Sequence, residues 1–241
     1  MNSVGRSELV IAAAILSLGI ASAGYFASHT IYNAKIALNT AEVKGLAERR
    51  VEADRAYWKI QYQVTGADKS DVPRLYEQSA ENQKQIEALL RENGFESSEI
   101  IPGVIDYGQK EFRDENQKLV DVKHYLVGSI EVETSKVRQV AQVRAKLNGL
   151  IAQGLDIRNN APLYYFTKLN DIKPAMLKEA TKNARIAANE FASNAGVTVG
   201  GIREARQGGF EVRDVGEDYG DSKKIEKDVR LVTNITFFLT E

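Results

Sequence analysis

The sequence predicts an α+β protein that begins with a membrane-spanning helix. Residues 9–28 contain no charged side chain. Beyond them, segments in which apolar and polar residues alternate, as in half-buried strands, are separated by segments whose apolar residues recur at helical spacing. The order strand, helix, strand, strand occurs twice, at about residues 57–133 and 162–240, with one more helix between the two groups. This order favours antiparallel sheet covered by helices on one face.

The apolar segment LVIAAAILSLGIASAGYFAS is long enough to cross a bilayer, since about 20 helical residues span the roughly 30 Å hydrocarbon core. Two alternatives stay open, a cleaved signal peptide and a buried helix of a soluble protein. Ala21-Ser22-Ala23 has the small-x-small form found before signal-peptidase cleavage sites. The apolar character continues beyond it through Tyr25, Phe26 and Ile31, which favours an uncleaved anchor.

We therefore divide the chain into a transmembrane anchor or signal peptide at residues 1–28, a spacer at residues 29–41 and a folded domain at residues 42–241. The positive charges that flank the apolar segment do not decide its orientation. A first apolar segment with a short N-terminal flank is usually inserted with its N-terminus in the cytoplasm. We expect a single-pass protein in which the bilayer contacts residues 9–28 and the domain is exported.

The domain starts with VKGLAERRVEAD, whose composition by itself favours a helix. From the wider pattern we interpret Val43 to Arg50 as the first strand and Ala53-Asp54 as a turn into the second. The second strand runs from Tyr57 and alternates regularly. Its inward residues are predicted to be Trp58, Ile60, Tyr62 and Val64.

An amphipathic helix follows, with capping oxygens from Ser70 and Asp71, Pro73 in its first turn and an end before Gly94. Its apolar stripe consists of Val72, Leu75, Ser79, Ile86, Leu89 and Leu90. Strands at about residues 99–112 and 118–133 then form a hairpin around the turn RDENQ. The inward residues of the second of these strands are Val120, Val122, Leu126, Ile130 and Val132.

The second half of the chain repeats this order. A helix at residues 136–153 is predicted to bury Val137, Val140, Leu147 and Ile151, and a strand lies near residues 163–169. The third helix, residues 174–195, has a face of Ala180, Ala184, Ala187, Ala188 and Phe191. Strands at residues 197–206 and 229–239 follow, separated by an acidic loop at residues 211–228. The inward residues of the last strand are Leu231, Thr233, Ile235, Phe237 and Leu239.

Several motifs occur in a fixed order along the domain. They are Val43-Lys44-Gly45, Glu48, Ala53-Asp54, the alternating strand from Tyr57, Gly94-Phe95, Tyr125, an asparagine-rich turn before Tyr164 and Phe166, and ATKNARIAANEFASNAGVTVGGI. Over about residues 42–240, this order resembles the SIMPL-domain family.

The resemblance implies a bacterial envelope protein, exported or anchored in the inner membrane, whose domain tends to self-associate. It also implies the absence of an established catalytic activity and supplies no catalytic residues. Many secreted members carry Pro-Asp before the first long strand, whereas this chain has Glu52-Ala53-Asp54. Together with the apolar N-terminus, this is more similar to the anchored branch, with the domain on the periplasmic side of the inner membrane.

Little in the sequence predicts catalysis. The chain has no cysteine, and of its two histidines His29 ends the apolar segment and His124 lies on the inward face of a predicted strand. The histidines do not have the spacing of a metal-binding pair, and no GxSxG motif occurs. We therefore predict no catalytic, cofactor-binding or metal-binding residues and no cofactor.

The acidic loop and the paired glycines have ordinary interpretations. We interpret the loop as solvated or disordered; its oxygens suit calcium, but their spacing is not that of an EF-hand. Gly200-Gly201 and Gly208-Gly209 are predicted turn and bulge positions, since they form no phosphate-binding motif. The loop carboxylates are Asp214, Glu217, Asp218 and Asp221.

The charge balance bears on partners. With 32 basic and 33 acidic residues the formal charge is −1, so the chain lacks the basic excess that nucleic-acid binding requires, and we expect no nucleic-acid partner.

Aromatic residues fall on both faces of predicted strands, and outward aromatics are enriched at subunit interfaces. They are Trp58, Tyr164-Tyr165-Phe166 and Phe237-Phe238.

These observations favour a non-catalytic, membrane-anchored cell-envelope protein that assembles with itself into a homo-oligomeric ring or cage. Two alternatives belong to other classes. One is a periplasmic ligand-binding or chaperone-like module that uses a groove between sheet and helices. The other is an envelope hydrolase that acts through paired carboxylates.

Overall fold

The computed structural model describes the backbone of residues 6–36 and 39–240 and the side chains of residues 10–32 and 39–240. Residues 1–5 of the predicted anchor, residues 37–38 of the predicted spacer and residue 241 lie outside the described residues. The elements are α1 (Arg6–Ile36), β1 (Thr40–Glu52), β2 (Arg55–Gly66), α2 (Val72–Glu92), β3 (Ile100–Pro102), β4 (Asp106–Arg113), β5 (Leu119–Thr134), α3 (Val137–Ala152), β6 (Asp156–Asn159), β7 (Leu163–Tyr165), α4 (Leu169–Ala195), β8 (Thr198–Asp214) and β9 (Glu226–Thr240).

The predicted α+β class is confirmed, and the strands form two sheets. Three strands form one sheet in the order β1-β9-β8. A six-stranded antiparallel sheet has the order β3-β5-β2-β6, with β4 also paired to β5 and β7 to β2. The first group is β2, α2 and then three strands, β3, β4 and β5, in place of the two predicted; the second group is β7, α4, β8 and β9 as predicted. Strand β7 pairs in the six-stranded sheet, whereas β8 and β9 belong to the three-stranded sheet.

The chain divides into two compact units, with the boundaries inside β1, α4, β8 and β9. Unit 1 comprises Met1–Ala47, Pro174–Phe210 and Leu231–Glu241, and unit 2 comprises Glu48–Lys173 and Glu211–Arg230.

Helix α1 is long and apolar enough to cross a membrane. Residues Val10–Tyr32 have a mean hydropathy of 2.0 and none of the span is buried against the protein. At about 1.5 Å per residue these residues exceed the roughly 30 Å of a hydrocarbon core. A secretory signal near an N-terminus meets the same criterion. The helix continues to Ile36, so the first eight residues of the predicted spacer are helical.

In unit 1, α4 packs on one face of the three-stranded sheet. The small-residue face predicted for this helix is largely correct, because Ala180, Ala184 and Ala188 are buried. Phe191 is exposed, contrary to the prediction, because burial along α4 recurs at every fourth residue from Met176 to Ala192 and therefore falls on Ala192 and not on Phe191. The facing strand residues include Val43, Ile235 and Phe237.

Gly45 explains why α4 lies so close to β1. A β-carbon at this position would overlap the carbonyl oxygen of Ala180 and lie 2.9 Å from the Ala184 Cβ. Only glycine allows the helix backbone to approach the strand to this distance. The predicted strand at Val43 to Arg50 is confirmed as part of β1, and its glycine is a packing requirement.

In unit 2, α2 and α3 pack on one face of the six-stranded sheet. The inward residues predicted for β2 are all buried, and Trp58 donates a hydrogen bond from Nε1 to the carbonyl oxygen of Asn160 at 3.1 Å. The Ala53-Asp54 turn is also confirmed. The carboxylate of Asp54 accepts hydrogen bonds from the backbone N–H and the hydroxyl of Thr167, which ties the turn to the chain after β7.

Several predicted boundaries and faces differ. The strand predicted at residues 99–112 is two strands, β3 and β4, and the strand predicted at residues 163–169 ends at Tyr165 because α4 begins at Leu169, five residues before Pro174. Val120 and Ile151 are exposed. Val120 lies where β5 extends beyond the core to pair with β4, and Leu150 takes the inward position that the pattern assigned to Ile151.

Candidate self-association surface

The edge of the three-stranded sheet at β8 contains the longest run of exposed residues among the described strands of unit 1. Strand β8 stands last in the order β1-β9-β8, and all nine residues from Gly201 to Gly209 are exposed. Within residues 6–36 and 39–240, β9 is the only strand that pairs with it. We call residues Gly201–Gly209 the open edge. Its outward backbone N–H and C=O groups are available to another strand.

The start of β8 is held by α4. The guanidinium of Arg185 donates hydrogen bonds to the carbonyl oxygens of Gly200 at 3.0 Å and Val199 at 3.3 Å. The same guanidinium lies over the ring of Phe237. The hydroxyl of Thr198 also contacts Thr240 across the strand pair. These contacts position the strand directly before the open edge.

The far end of β8 is held by a buried ion pair in unit 2. The Nζ of Lys227 lies 2.5 Å from a carboxylate oxygen of Asp214, and the side chains are 0 % and 1 % exposed. Backbone N–H groups of Lys223 and Lys224 donate to the same carboxylate, and Lys227 Nζ also donates to the carbonyl oxygen of Asp221 at 2.6 Å. The pair therefore closes the loop between β8 and β9.

The pKa of Asp214 reflects these contacts. Burial by itself raises the pKa of the carboxyl group, and the hydrogen bonds from Lys227 and from the backbone at Lys223 and Lys224 outweigh it. The net pKa lies below the usual value of an aspartate, so Asp214 is ionised at neutral pH.

The prediction that Asp214 belongs to a solvated acidic loop is wrong, because both flanking strands are longer than expected. Strand β8 continues to Asp214 and β9 begins at Glu226, so the loop is confined to residues 215–225. Glu217 pairs with Lys224 at 3.0 Å. Among the residues that the structure describes, no group of three or more His, Asp or Glu side chains is arranged to hold a metal ion.

The paired glycines are not turn positions. All four lie within β8. A β-carbon on Gly208 would lie 2.5 Å from the carbonyl oxygen of Val232, and one on Gly200 would lie 3.3 Å from the carbonyl oxygen of Phe238. These two glycines allow close approach to β9, whereas a β-carbon on Gly201 or Gly209 would meet no atom within 4 Å.

Two charged side chains occupy the middle of the open edge. The Nε of Arg206 lies 2.6 Å from a carboxylate oxygen of Glu204, and both side chains are more than half exposed. They line a small cleft with Asn234 and Thr236. Those two residues alternate with the buried Ile235 and Phe237, so Glu204 and Arg206 lie on the sheet face away from α4.

The two histidines lie in different elements, His124 in β5 and His29 in α1. His124 is buried, as its strand position predicts, and its Nδ1 lies 2.8 Å from the hydroxyl oxygen of Tyr107. His29 lies on α1, where its ring stacks with that of Tyr25.

The predicted aromatic residues divide between core and surface. Trp58, Tyr164 and Phe237 are buried, Tyr165 is exposed and Phe238 is half-buried. Tyr165 and Phe238 therefore agree with the expectation of outward aromatics on strands, and Phe238 lies on β9 near Gly200.

A second concave region lies in unit 2 at the start of α3. This cleft has a volume of about 520 Å³. Its charged groups are engaged by neighbours within the unit: Lys136 with Glu99, Arg138 with Glu52, and Lys146 with Asn93. The charged side chains that line this cleft therefore already have partners within unit 2.

Together these features define a class of protein: an α+β domain with two sheets, preceded by a helix able to cross a membrane. The family model of SIMPL, described as a protein of unknown function (DUF541), matches residues 41–232. The match covers about four fifths of the chain, from β1 into β9, and the chain belongs to the SIMPL family. The family has no known catalytic activity. No curated protein matches the chain.

Proposed function

We propose that this SIMPL protein is a non-catalytic scaffold of the bacterial cell envelope. Helix α1 anchors it in the inner membrane, the domain lies in the periplasm, and copies associate into a homo-oligomeric ring or cage. The observation that carries this proposal is the open edge of β8, a regular strand edge fixed at both ends and exposed between them. Exposed strand edges bind other strands unless they are protected.

The anchor is supported by the exposure of α1. A 23-residue apolar span with none of its surface buried against the protein requires another apolar environment, which a bilayer supplies. Lipid contact through Val10–Tyr32 agrees with the expectation for residues 9–28.

The self-association is tested on the full chain purified in detergent micelles. Mass photometry is expected to give a single assembly of several subunits. A monomer at all concentrations up to the micromolar range contradicts the scaffold. A monomer whose melting temperature rises with a small periplasmic ligand or an unfolded client indicates the ligand-binding or chaperone-like alternative instead.

The membrane topology is tested separately. Green fluorescent protein fused to the C-terminus folds to a fluorescent state only in the cytoplasm, so the exported orientation predicts dark cells. Alkaline phosphatase fused at the same point should be active. Bright fluorescence with inactive phosphatase contradicts the exported orientation.

A further inference from the structure

We propose that the open edge of β8 pairs in antiparallel fashion with the open edge of a second copy of this chain, about a two-fold axis through Ala205. This inference rests on the proposed self-association and names its contact surface. It follows from the registers that the strand permits and from the charges those registers bring together.

Hydrogen bonding limits the registers. Along a strand, only alternate residues direct their N–H and C=O groups to a given edge. In an antiparallel pair, facing residues either both direct these groups to the shared edge or both direct them away from it, so two identical strands must pair residues of the same class. The two-fold axis therefore passes between a residue and its own copy, and not between two neighbouring positions.

Charge selects among these axes. An axis through Arg203, Glu204 or Arg206 places that residue opposite its own copy, and directly opposed like charges destabilise a strand pair. An axis through Ala205 places Glu204 opposite Arg206 and Arg206 opposite Glu204. It also matches the exposed stretch, because Gly201 then faces Gly209 and all nine residues of the open edge pair with each other. An axis through Gln207 would extend the pairing to Arg213, beyond the open edge.

Side-chain size agrees with the same register. Ile202 is 49 % exposed and lies on the sheet face of Glu204 and Arg206. With the axis at Ala205, Ile202 faces Gly208 of the second copy, which has no side chain. The isoleucine can therefore lie across the partner's backbone and lose exposed apolar surface.

The contact would join the three-stranded sheets of two copies into one sheet. The backbone groups of the open edge would gain hydrogen-bond partners, as in β-strand addition. The contact is isologous, so it produces pairs of subunits. A ring or cage of equivalent subunits that uses it therefore contains an even number of copies.

Cross-linking tests the register directly, because the chain contains no cysteine and any disulfide must come from an introduced residue. In the full chain, Ala205→Cys is expected to form a disulfide-linked dimer on mild oxidation, since paired Cα atoms lie about 4.5–5.5 Å apart and disulfides span about 4.4–6.8 Å. Arg203→Cys and Gln207→Cys are the matched controls. Each alone places its two thiols about 13 Å apart along the strands and should not cross-link, whereas co-expression of the two should give the mixed dimer.

Charge reversal tests the pairing energy without a cross-link. Glu204→Arg converts two attractive pairs into two repulsive ones and is expected to weaken self-association roughly 5- to 30-fold. The double variant Glu204→Arg with Arg206→Glu restores opposite charges in the same register and should recover the wild-type association. Circular dichroism checks that each variant is folded.

The possible results distinguish a failure of the proposed scaffold function from a failure of the proposed β8 contact surface. If the wild-type chain is a monomer, the proposed scaffold function fails. If it assembles but Ala205→Cys does not cross-link, or the double variant remains as weak as the single one, the scaffold stands and the β8 surface is wrong. An assembly with an odd number of equivalent subunits also overturns the β8 pairing.

Discussion

Replacing Lys227 with methionine removes the cation that neutralises the buried carboxylate of Asp214. Methionine has a similar length and fits an apolar space, so the substitution changes charge far more than volume. The carboxylate of Asp214 would keep its hydrogen bonds from the backbone N–H groups of Lys223 and Lys224 and lose its only side-chain partner among the residues described.

The expected cost is large because both side chains are at most 1 % exposed. Removal of one member of a buried ion pair costs about 3–5 kcal/mol, since the remaining charge has no counterion. A domain is typically stable by about 5–15 kcal/mol, so this variant should lose a large fraction of its stability. Removing both charges with Asp214→Asn and Lys227→Met should recover most of the loss, because no uncompensated charge then stays buried.

The measurement is urea unfolding of the full chain in detergent, followed by the fluorescence of Trp58. This is the chain's single tryptophan, and it lies fully buried in the core of unit 2, the unit that contains the ion pair. The matched control is Lys224→Met in the same loop, whose ammonium pairs with Glu217 at the surface and should cost at most about 1 kcal/mol. If Lys227→Met costs no more than Lys224→Met, the buried pair does not stabilise the fold as argued.

The other predictions concern packing and pH. Gly45→Ala should cost about 3 kcal/mol and lower the melting temperature measured by circular dichroism, because the new β-carbon overlaps the backbone of Ala180. Gly149→Ala, with open space around the new methyl group and outside the open edge, is the control, and equal losses would refute the packing argument. Because the folded-state pKa of Asp214 is lowered, its contribution to stability is complete above about pH 4 and is lost as the pH falls through the folded value. The double variant without both charges of the Asp214–Lys227 pair should therefore show a shallower loss of stability below pH 4; an unchanged acid limb would exclude this origin.

The elements with a buried face were predictable from sequence. Strand β2 alternates because one face contacts the helices and the other contacts solvent, and the periodicity located Trp58 and Ile60 in the core. The charge-free run of α1 was equally direct, since its composition needs no tertiary partner to be recognised.

The open edge was not predictable in the same way. Between Gly201 and Gly209 both faces of β8 are exposed, so alternation is absent and the sequence pattern ended the strand at Arg206. The four glycines reinforced that error, because glycine usually marks a turn. Pairing with β9 determines the strand there, and such pairing is a property of the folded chain.

The sequence by itself determined the class, the family resemblance and the apolar helix, because these depend on composition, spacing and the order of motifs along the chain. Tertiary structure decided that Gly45 is required beneath α4, that Asp214 is buried against Lys227, and that β8 presents an edge with Glu204 and Arg206 at its centre. Each of these depends on which residues distant in sequence are brought together, and local periodicity carries no information about such contacts.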